Sequence, residues 1–476
     1  MSKTLSPTPI RLYNTASRQK EVLQPLLEGH VSLYTCGPTV YHFVHIGNFR
    51  TFVFEDLLRR TLKFLGFKVL HAMNLTDVDD KTIKGAIARK VSLDEYTKPY
   101  KDAFFEDLKV LNMDKAEFYP AATDYITSMI QIIEKLIHKG FAYKGGDGSI
   151  YYAINRFPTY GCLSHLHLDE LRAGASARVA SDEYEKDHVA DFVLWKGYDS
   201  ERDGDIYWES PFGKGRPGWH LECSAMAMEL LGETVDIHVG GIDNMFPHHE
   251  NEIAQSEAYS GKPFVKIWMH AEHLVVDNKK MSKSLGNFYT LRDVLNRGFT
   301  GPQIRYMLMH VHYKTQLNFT FDGLEAVKSS LQRLQDFVQR IQEVKEPGET
   351  GAVDEPLRKA SIAFRDALAD DLNISMALAA LFDFVREVNG LSDGGKLKGG
   401  DAAKVIEFLK EINTVLAVLD FEATEEIPDH LQNALAERIE ARSSKDWVRA
   451  DRLRDFITSQ GYVIEDTPSG ARLKKG

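Results

Sequence analysis

The chain is poor in cysteine, has no long apolar run and carries no excess of positive charge. Three cysteines, at positions 36, 162 and 223, stand among 476 residues, too few and too scattered for a disulfide framework. No apolar stretch nears the ~18 residues of a membrane span, and the opening MSKTLSPTPIRLYNT lacks the apolar core of a signal peptide. The formal charge is −11, which excludes a uniformly basic nucleic-acid binder but leaves room for a local basic surface. A cytoplasmic protein with no membrane partner is expected, and its cysteines are then buried small hydrophobes or functional thiolates. Cys162, with no polar cluster beside it in PTYGCLSHL, is assigned to the former class.

What the chain has in quantity is apolar content, 43%, and length enough for about two to four domains. His30 to Thr35 reads as a buried strand, followed by a loop at Cys36-Gly-Pro38 and a helix from Ile46 to Leu65 with apolar residues at helical spacing. Gly66 ends that helix, and Lys68 to Asn74 returns as a strand: the β-loop-α-β opening of a parallel nucleotide-binding sheet. Helices are expected near 93–111, 121–139 and 219–231, and strands at Val235–Val239, Lys266–His270 and Leu274–Val276, the last two completing the sheet. The fold class is α/β. A Rossmann-type domain at 1–141 and 197–300 carries an insertion of short strands and charged loops at 142–196. A helical bundle follows at 301–425, with EVKEPGETGAVDEP as a linker inside it, and a small α+β unit of two helices and a hairpin closes the chain at 426–476.

Three segments carry chemistry. FPHHENEIA, from Phe246 to Ala254, places two histidines and two glutamates together; Pro247 suits the first turn of a helix. Residues four apart share a helical face, so His248 and Glu252 can aim at one point while His249 and Glu250 cannot join them. That spacing suits half a metal site, or equally a polar helix start with acids near its positive end. TCGPTVYHFVHIGNFR puts His42 and His45 beside a Gly47-led helix start, where a phosphorylated ligand can approach the backbone, although such a turn is often only a connection. KKMSKSLGN brings Lys280 and Lys283 into a loop after a strand, able to hold a pyrophosphate or simply to be solvated.

HIGN after the first strand and KMSKS after a late strand together resemble the two signatures of class I aminoacyl-tRNA synthetases. TCGPTVY, NLTDVDDK, DFVLWK, GRPGWHLECSAM, GGIDNMFPHHENEIAQ and KMSKSLGN, spread over nearly the whole chain, resemble the cysteinyl-tRNA synthetase family. The resemblance implies ATP-dependent activation of L-cysteine, with Mg²⁺ accompanying ATP, transfer to tRNA(Cys), and a monomer. It implies one zinc ion held by Cys36, Cys223, His248 and Glu252. Thr76 and Trp219, with Cys36, are implied to line the cysteine pocket, and Gly240, Gly241 and Asp243 to approach the adenylate. Asp243 is then a candidate for a ribose hydroxyl or the substrate ammonium, or else only a turn cap. His42, His45, Lys280 and Lys283 are implied to act on the phosphates.

Position 48 departs from the class pattern: it is Asn48 where the signature ends in His, which can donate a hydrogen bond but cannot titrate. At the C-terminal end the resemblance implies a stem-contact region before residue 426 and an anticodon-binding unit after it. From Ala436 onward there are nine Lys/Arg against seven Asp/Glu, and Arg442, Trp447 and Asp451 match positions that read the GCA anticodon. The TPSGARLKK end departs from the family's more aromatic one.

The assignment of faces makes a prediction. Glu252→Gln is expected to weaken zinc or cysteine binding far more than Glu250→Gln, measured by metal content and cysteine titration; equal losses would refute it.

Overall fold

A computed structural model describes residues 9–166, 191–422, 428–467 and 470–475. The chain forms two compact units. One comprises Met1–Leu331, Ser361–Leu381 and Glu411–Val418; the other comprises Gln332–Ala360, Phe382–Lys410 and Leu419–Gly476.

The first unit is built on four parallel strands: β1 (His30–Thr35), β2 (Lys68–Met73), β3 (Val235–Gly241) and β4 (Val265–Ala271), in the order β4-β3-β1-β2. β3, VDIHVGG, is buried along nearly its whole length, as a central parallel strand must be. Alternation then sorts side chains by face. Val31, Leu33, Ile237, Val239, Ile267 and Met269 share one apolar cluster with Leu58 and Leu62 of helix α1 (Ile46–Phe64). Tyr34 and Trp268 point the other way, toward helices α2 (Trp219–Leu231) and α3 (Glu250–Ser260). His238 lies on this second face, stacked on Trp268 at 4.6 Å between ring centroids and 22° between planes.

From β1 the chain runs to β2 on one side and later to β3 on the other, so strand order reverses between β1 and β3. Loops leaving the carboxyl ends of those two strands diverge and open a crevice, the usual ligand position in such sheets. Strand Leu274–Val276, expected in the same sheet, instead pairs with Lys279–Lys280 and Leu317–Phe319 in a separate three-stranded sheet. Only two residues, Glu272 and His273, separate it from β4, too few for a parallel return. The inserted strands form a small antiparallel sheet whose last strand, Gly215–Pro217, lies beyond residue 196. GRP has no strand pattern of its own and is held by pairing with Phe192–Gly197. Residues 167–190 of the insertion lie outside the described part.

Helix termini follow local chemistry. Ser92 with Glu95 and Thr290 with Asp293 form capping boxes at the starts of Leu93–Val110 and Leu291–Leu295. Helix Asp80–Arg89, also opened by a capping box, was not foreseen in the sequence.

In the second unit, helices Asp429–Ser443 and Trp447–Ser459 precede a hairpin of Tyr462–Thr467 and Gly470–Lys475, around Leu431, Ala434, Ile457 and Leu473. The linker foreseen between helices Phe321–Gln342 and Asp354–Ala369 is partly pinned: Asp401 accepts from the backbone N–H of Thr350 and Gly351.

A buried charge ties the first unit together. Arg305 is fully buried; its guanidinium lies 2.6 Å from Asp56 of α1 and donates to the carbonyls of Leu111 (3.2 Å) and Leu416 (2.7 Å). Removing one partner of such a pair strands the other. Arg305→Met is expected to cost about 3–5 kcal/mol in urea unfolding, and a loss under about 1 kcal/mol, the scale of an exposed pair, would contradict the assigned role.

Candidate active site

The crevice between β1 and β3 contains a cavity of about 280 Å³. Its wall includes Cys36, Thr76, Trp219, Gly241, Asp243 and His248, together with His42, His45, Asn48 and Phe288. Sequence positions separated by more than two hundred residues thus meet around one space, each placed by an element end.

Cys36 follows the last residue of β1, and its N–H donates to the carbonyl of Val239 (3.1 Å). Gly37 is required there, since a side chain would collide with the Asn74 carbonyl. Cys223 sits on α2. His248 belongs to a wide helical turn, Met245–His249, with Phe246 extended at φ −137°, ψ 131°, and regular helix begins only at Glu250. Pro247 therefore precedes α3 instead of opening it. The pairing expected from helical spacing nonetheless forms: His248 Nε2 lies 3.0 Å from Glu252 Oε1. His248 Nε2 is also 3.4 Å from Cys223 Sγ.

The ligand atoms of Cys36, Cys223, His248 and Glu252 all lie within 4.8 Å of one another, and all four residues are buried. Zinc bonds of about 2.0–2.3 Å in a tetrahedron need ligand atoms about 3.3–3.8 Å apart, so this donor set fits the ion. Glu252 Oε1 makes no well-formed hydrogen bond despite its short approach to His248, which leaves that oxygen available to an ion. A second set, Cys36, His238, His249 and Glu252, overlaps the first. Its histidines are already engaged. His238 Nε2 is 2.9 Å from Glu252 Oε2; His249 Nδ1 is 2.8 Å from His270 Nε2, whose Nδ1 meets Thr15 Oγ1 at 2.8 Å. Neither His238 nor His249 lines the cavity, whereas Cys36 and His248 do.

Electrostatics in the metal-free cluster follow from this packing. Burial opposes the charge on Glu252, but His238 and His248 outweigh it and bring the carboxyl down to about 2. Burial likewise opposes the His248 cation, yet Glu252 and Cys223 raise its pKa to about 10. Burial would raise Cys223, but its contacts with Cys36 and His248 lower it to about 6, while Cys36 is pushed up. Burial drives His220 and His249 well below the ordinary imidazole range.

The Thr76 side of the cavity is ordered by buried polar groups. Thr76 Oγ1 donates to Glu222 Oε2 (2.8 Å) and accepts from Asn74 Nδ2 (3.1 Å), while Asn74 Oδ1 accepts from Gly37 N–H (2.8 Å). Trp219, 42% exposed, stacks on His248 at 4.3 Å. On the opposite side Asn48 N–H donates to His45 Nδ1 (3.2 Å), which makes Nε2 the protonated nitrogen of a neutral His45. Gly47 and Gly240 are not on the cavity wall; their missing side chains admit Met281 with the His45 ring, and the His249 ring, respectively. Lys280 is exposed on its short strand, and the side chain of Lys283, at the start of the turn Lys283–Leu285, lies outside the described part.

Four residues take places that the sequence did not assign them. Glu250 is fully buried, accepting from the backbone N–H of Gly161 (2.7 Å), Leu163 (3.1 Å) and Ser164 (2.9 Å), so it anchors the 161–164 turn instead of a metal. Cys162 is exposed as a residue, not buried, but its thiol turns inward to within 3.8 Å of Glu250; partial desolvation there and the Glu250 charge push its pKa up to about 12, which makes it a poor thiolate. His238 and His270 were passed over, although an imidazole inside the apolar strands VDIHVGG and VKIWMHA was a readable signal.

In the second unit, Trp447 opens its helix 57% exposed, so it does not serve as core packing. Arg442 lies in the preceding helix and Asp451 pairs with Arg454 (3.2 Å).

Residues 22–329 match the family model "tRNA synthetases class I (C) catalytic domain", and residues 363–421 match a DALR domain. A methionyl-tRNA synthetase structure from Mycobacterium tuberculosis, bound by methionyl-adenylate, superposes with a TM-score of 0.61 at 13% identity, covering 83% of this chain and 92% of that one. A leucyl-tRNA synthetase complex from Agrobacterium radiobacter gives 0.59 at 12% identity, covering 83% and 85%. The fold is that of a class I aminoacyl-tRNA synthetase. The chain is 70% identical to the cysteine–tRNA ligase of Protochlamydia amoebophila over 99% of each, and 57% identical to that of Chlamydia pneumoniae over 97% of each. It belongs to the cysteine–tRNA ligase family of class I synthetases.

Proposed function

We propose that the protein activates L-cysteine with ATP, releasing pyrophosphate, and transfers the cysteinyl group to the terminal ribose of tRNA(Cys). The observation that carries this reading is the convergence of Cys36, Cys223, His248 and Glu252 beside the cavity that also holds His42, His45 and Asn48. These four residues would hold one zinc ion. When bound, zinc supplies a soft centre that prefers a deprotonated thiol to a hydroxyl, giving discrimination against serine that pocket shape alone supplies only about a hundredfold.

The chain's own groups do the rest. Thr76 and Trp219 confine a small side chain above the metal ligands, and Asp243 offers a carboxylate to the substrate ammonium or the ribose. In the first step the cysteine carboxylate attacks the α-phosphate of ATP in line. His45, through Nε2–H, with His42, Asn48, Lys280 and Lys283, stabilises charge on the phosphates, positioning and electrostatics supplying the acceleration. Gly240 and Gly241 let the backbone approach the adenylate, and Mg²⁺ accompanies ATP. Arg442, Trp447 and Asp451 contact the GCA anticodon, with the exposed indole offering a stacking face. Residues 1–141 and 197–300 form the catalytic domain, 142–196 the connective insertion, 301–425 the stem-contact region and bundle, and 426–476 the anticodon-binding domain of a monomer.

The test is cysteine-dependent exchange of pyrophosphate into ATP, followed by transfer to tRNA bearing GCA. Both are expected. Exchange without transfer would indicate a ligase for a different acceptor, such as an amino sugar, and absence of exchange would sink the reading.

A further inference from the structure

The segment that follows the KMSKS loop is stitched to the HIGN turn. Ile46 N–H donates to the Tyr289 carbonyl (3.0 Å), and His45 forms an antiparallel bridge with Thr290. The loop itself is closed by Asn287, which accepts from Ser282 N–H (2.8 Å) and donates to the Lys280 carbonyl (3.2 Å). Met281 approaches Gly47 so nearly that a side chain there would stand 3.0 Å from its methyl carbon.

Between these ties lies Phe288, half-buried, at the wall of the cavity between β1 and β3 and of a neighbouring cleft. Its ring meets His45 at 5.2 Å and 72°, and His42 at 6.5 Å and 80°. Both are edge-to-face arrangements within the range where aromatic pairs attract. His42 is stacked on its other side against Tyr100 (6.3 Å, 11°), and its Nδ1 contacts the Phe43 carbonyl (3.2 Å). Phe43 in turn carries Arg292 over its ring at 4.8 Å, and Arg292 is held by Asp107 (2.8 Å).

His42 thus lies between rings from two separate elements and His45 meets one of them, the Phe288 ring that belongs to the KMSKS-side segment. We propose that Phe288 is a positioning residue: it sets the His42 and His45 imidazoles toward the phosphates when the Lys280–Asn287 loop is docked. The phosphate-binding loop thereby reports its state to the histidines through an apolar ring. This rests on the reading above, in which the two histidines act on ATP.

The experiment is pyrophosphate exchange on the full-length protein with Phe288→Ala, Phe288→Leu and Phe288→Tyr, each also combined with His45→Asn and His42→Asn. Phe288→Ala is expected to lower kcat about ten- to a hundredfold, with KM for cysteine within about twofold. Phe288→Tyr keeps the ring edge and is expected to stay within about threefold of the parent. In a background carrying both His42→Asn and His45→Asn, losing Phe288 is expected to cost less than about threefold, because both of its partners are already gone. Phe288→Leu preserves apolar bulk, so it carries the comparison should the alanine variant fold poorly by circular dichroism. Full additivity with both histidine variants, an unchanged kcat, or a cysteine KM that rises in step would each overturn the proposal. If His42→Asn and His45→Asn alone leave exchange unslowed, the reading beneath it fails as well, and that outcome is separable from failure of Phe288 alone.

Discussion

Glu252 places its two carboxylate oxygens in opposite services: Oε2 meets His238 at 2.9 Å, and Oε1 turns toward His248 and the thiols of Cys36 and Cys223. A charge with no solvent access survives only where partners offset its lost hydration, and here His238 of β3 and His248 of the turn before α3 supply that offset, while the thiols of Cys36 and Cys223 converge on the same point from the loop after β1 and from α2. The elements that converge on this carboxylate also wall the cavity. The alternation that turns His238 toward α2 and α3 is set by the hydrophobic pattern of β3, so the position of this charge follows from the sheet itself.

Neighbouring acids divide the labour. Glu250 and Glu252 are two residues apart and both fully buried, yet one holds backbone N–H groups of the 161–164 turn while the other faces the ligand cluster. His249 turns its Nδ1 away from His248 to His270, which in turn meets Thr15, while its Nε2 lies 3.2 Å from Cys36 Sγ. The Thr76 end and the His42–His45 end of the cavity are then organised differently. Buried hydrogen bonds from Asn74 through Thr76 to Glu222 stiffen the first, whereas ring contacts of Phe288 and Tyr100 orient the second.

Much of this was legible in the sequence, and the reason is periodicity. Strand β1, α1 and α2 have strong apolar patterns with Gly66 and Gly232 as stops, and their observed bounds lie within a residue or so of the expected ones. The pairing of His248 with Glu252 followed from helical spacing alone. Cys36 and Cys223 could be joined to them only by resemblance, because no local rule brings a loop after the first strand beside a helix two hundred residues later. Tertiary pairing also decided the places where reading failed. Leu274–Val276 has strand composition but too short a connection to extend the sheet, and Gly215–Pro217 has none but is paired by its neighbour. Phe288 carried no signal, since an aromatic after a Gly-Asn pair is as ordinary in a core as in a site.

The central claim is that this cluster recognises a substrate thiol through a metal. It is tested most directly by replacing the bound metal with cobalt(II) and recording the thiolate-to-metal absorption as amino acids are added. Cysteine is expected to intensify and shift that band by adding a third sulfur ligand, while serine at the same concentration leaves it unchanged. A spectrum indifferent to cysteine, or equally responsive to serine, would contradict the account.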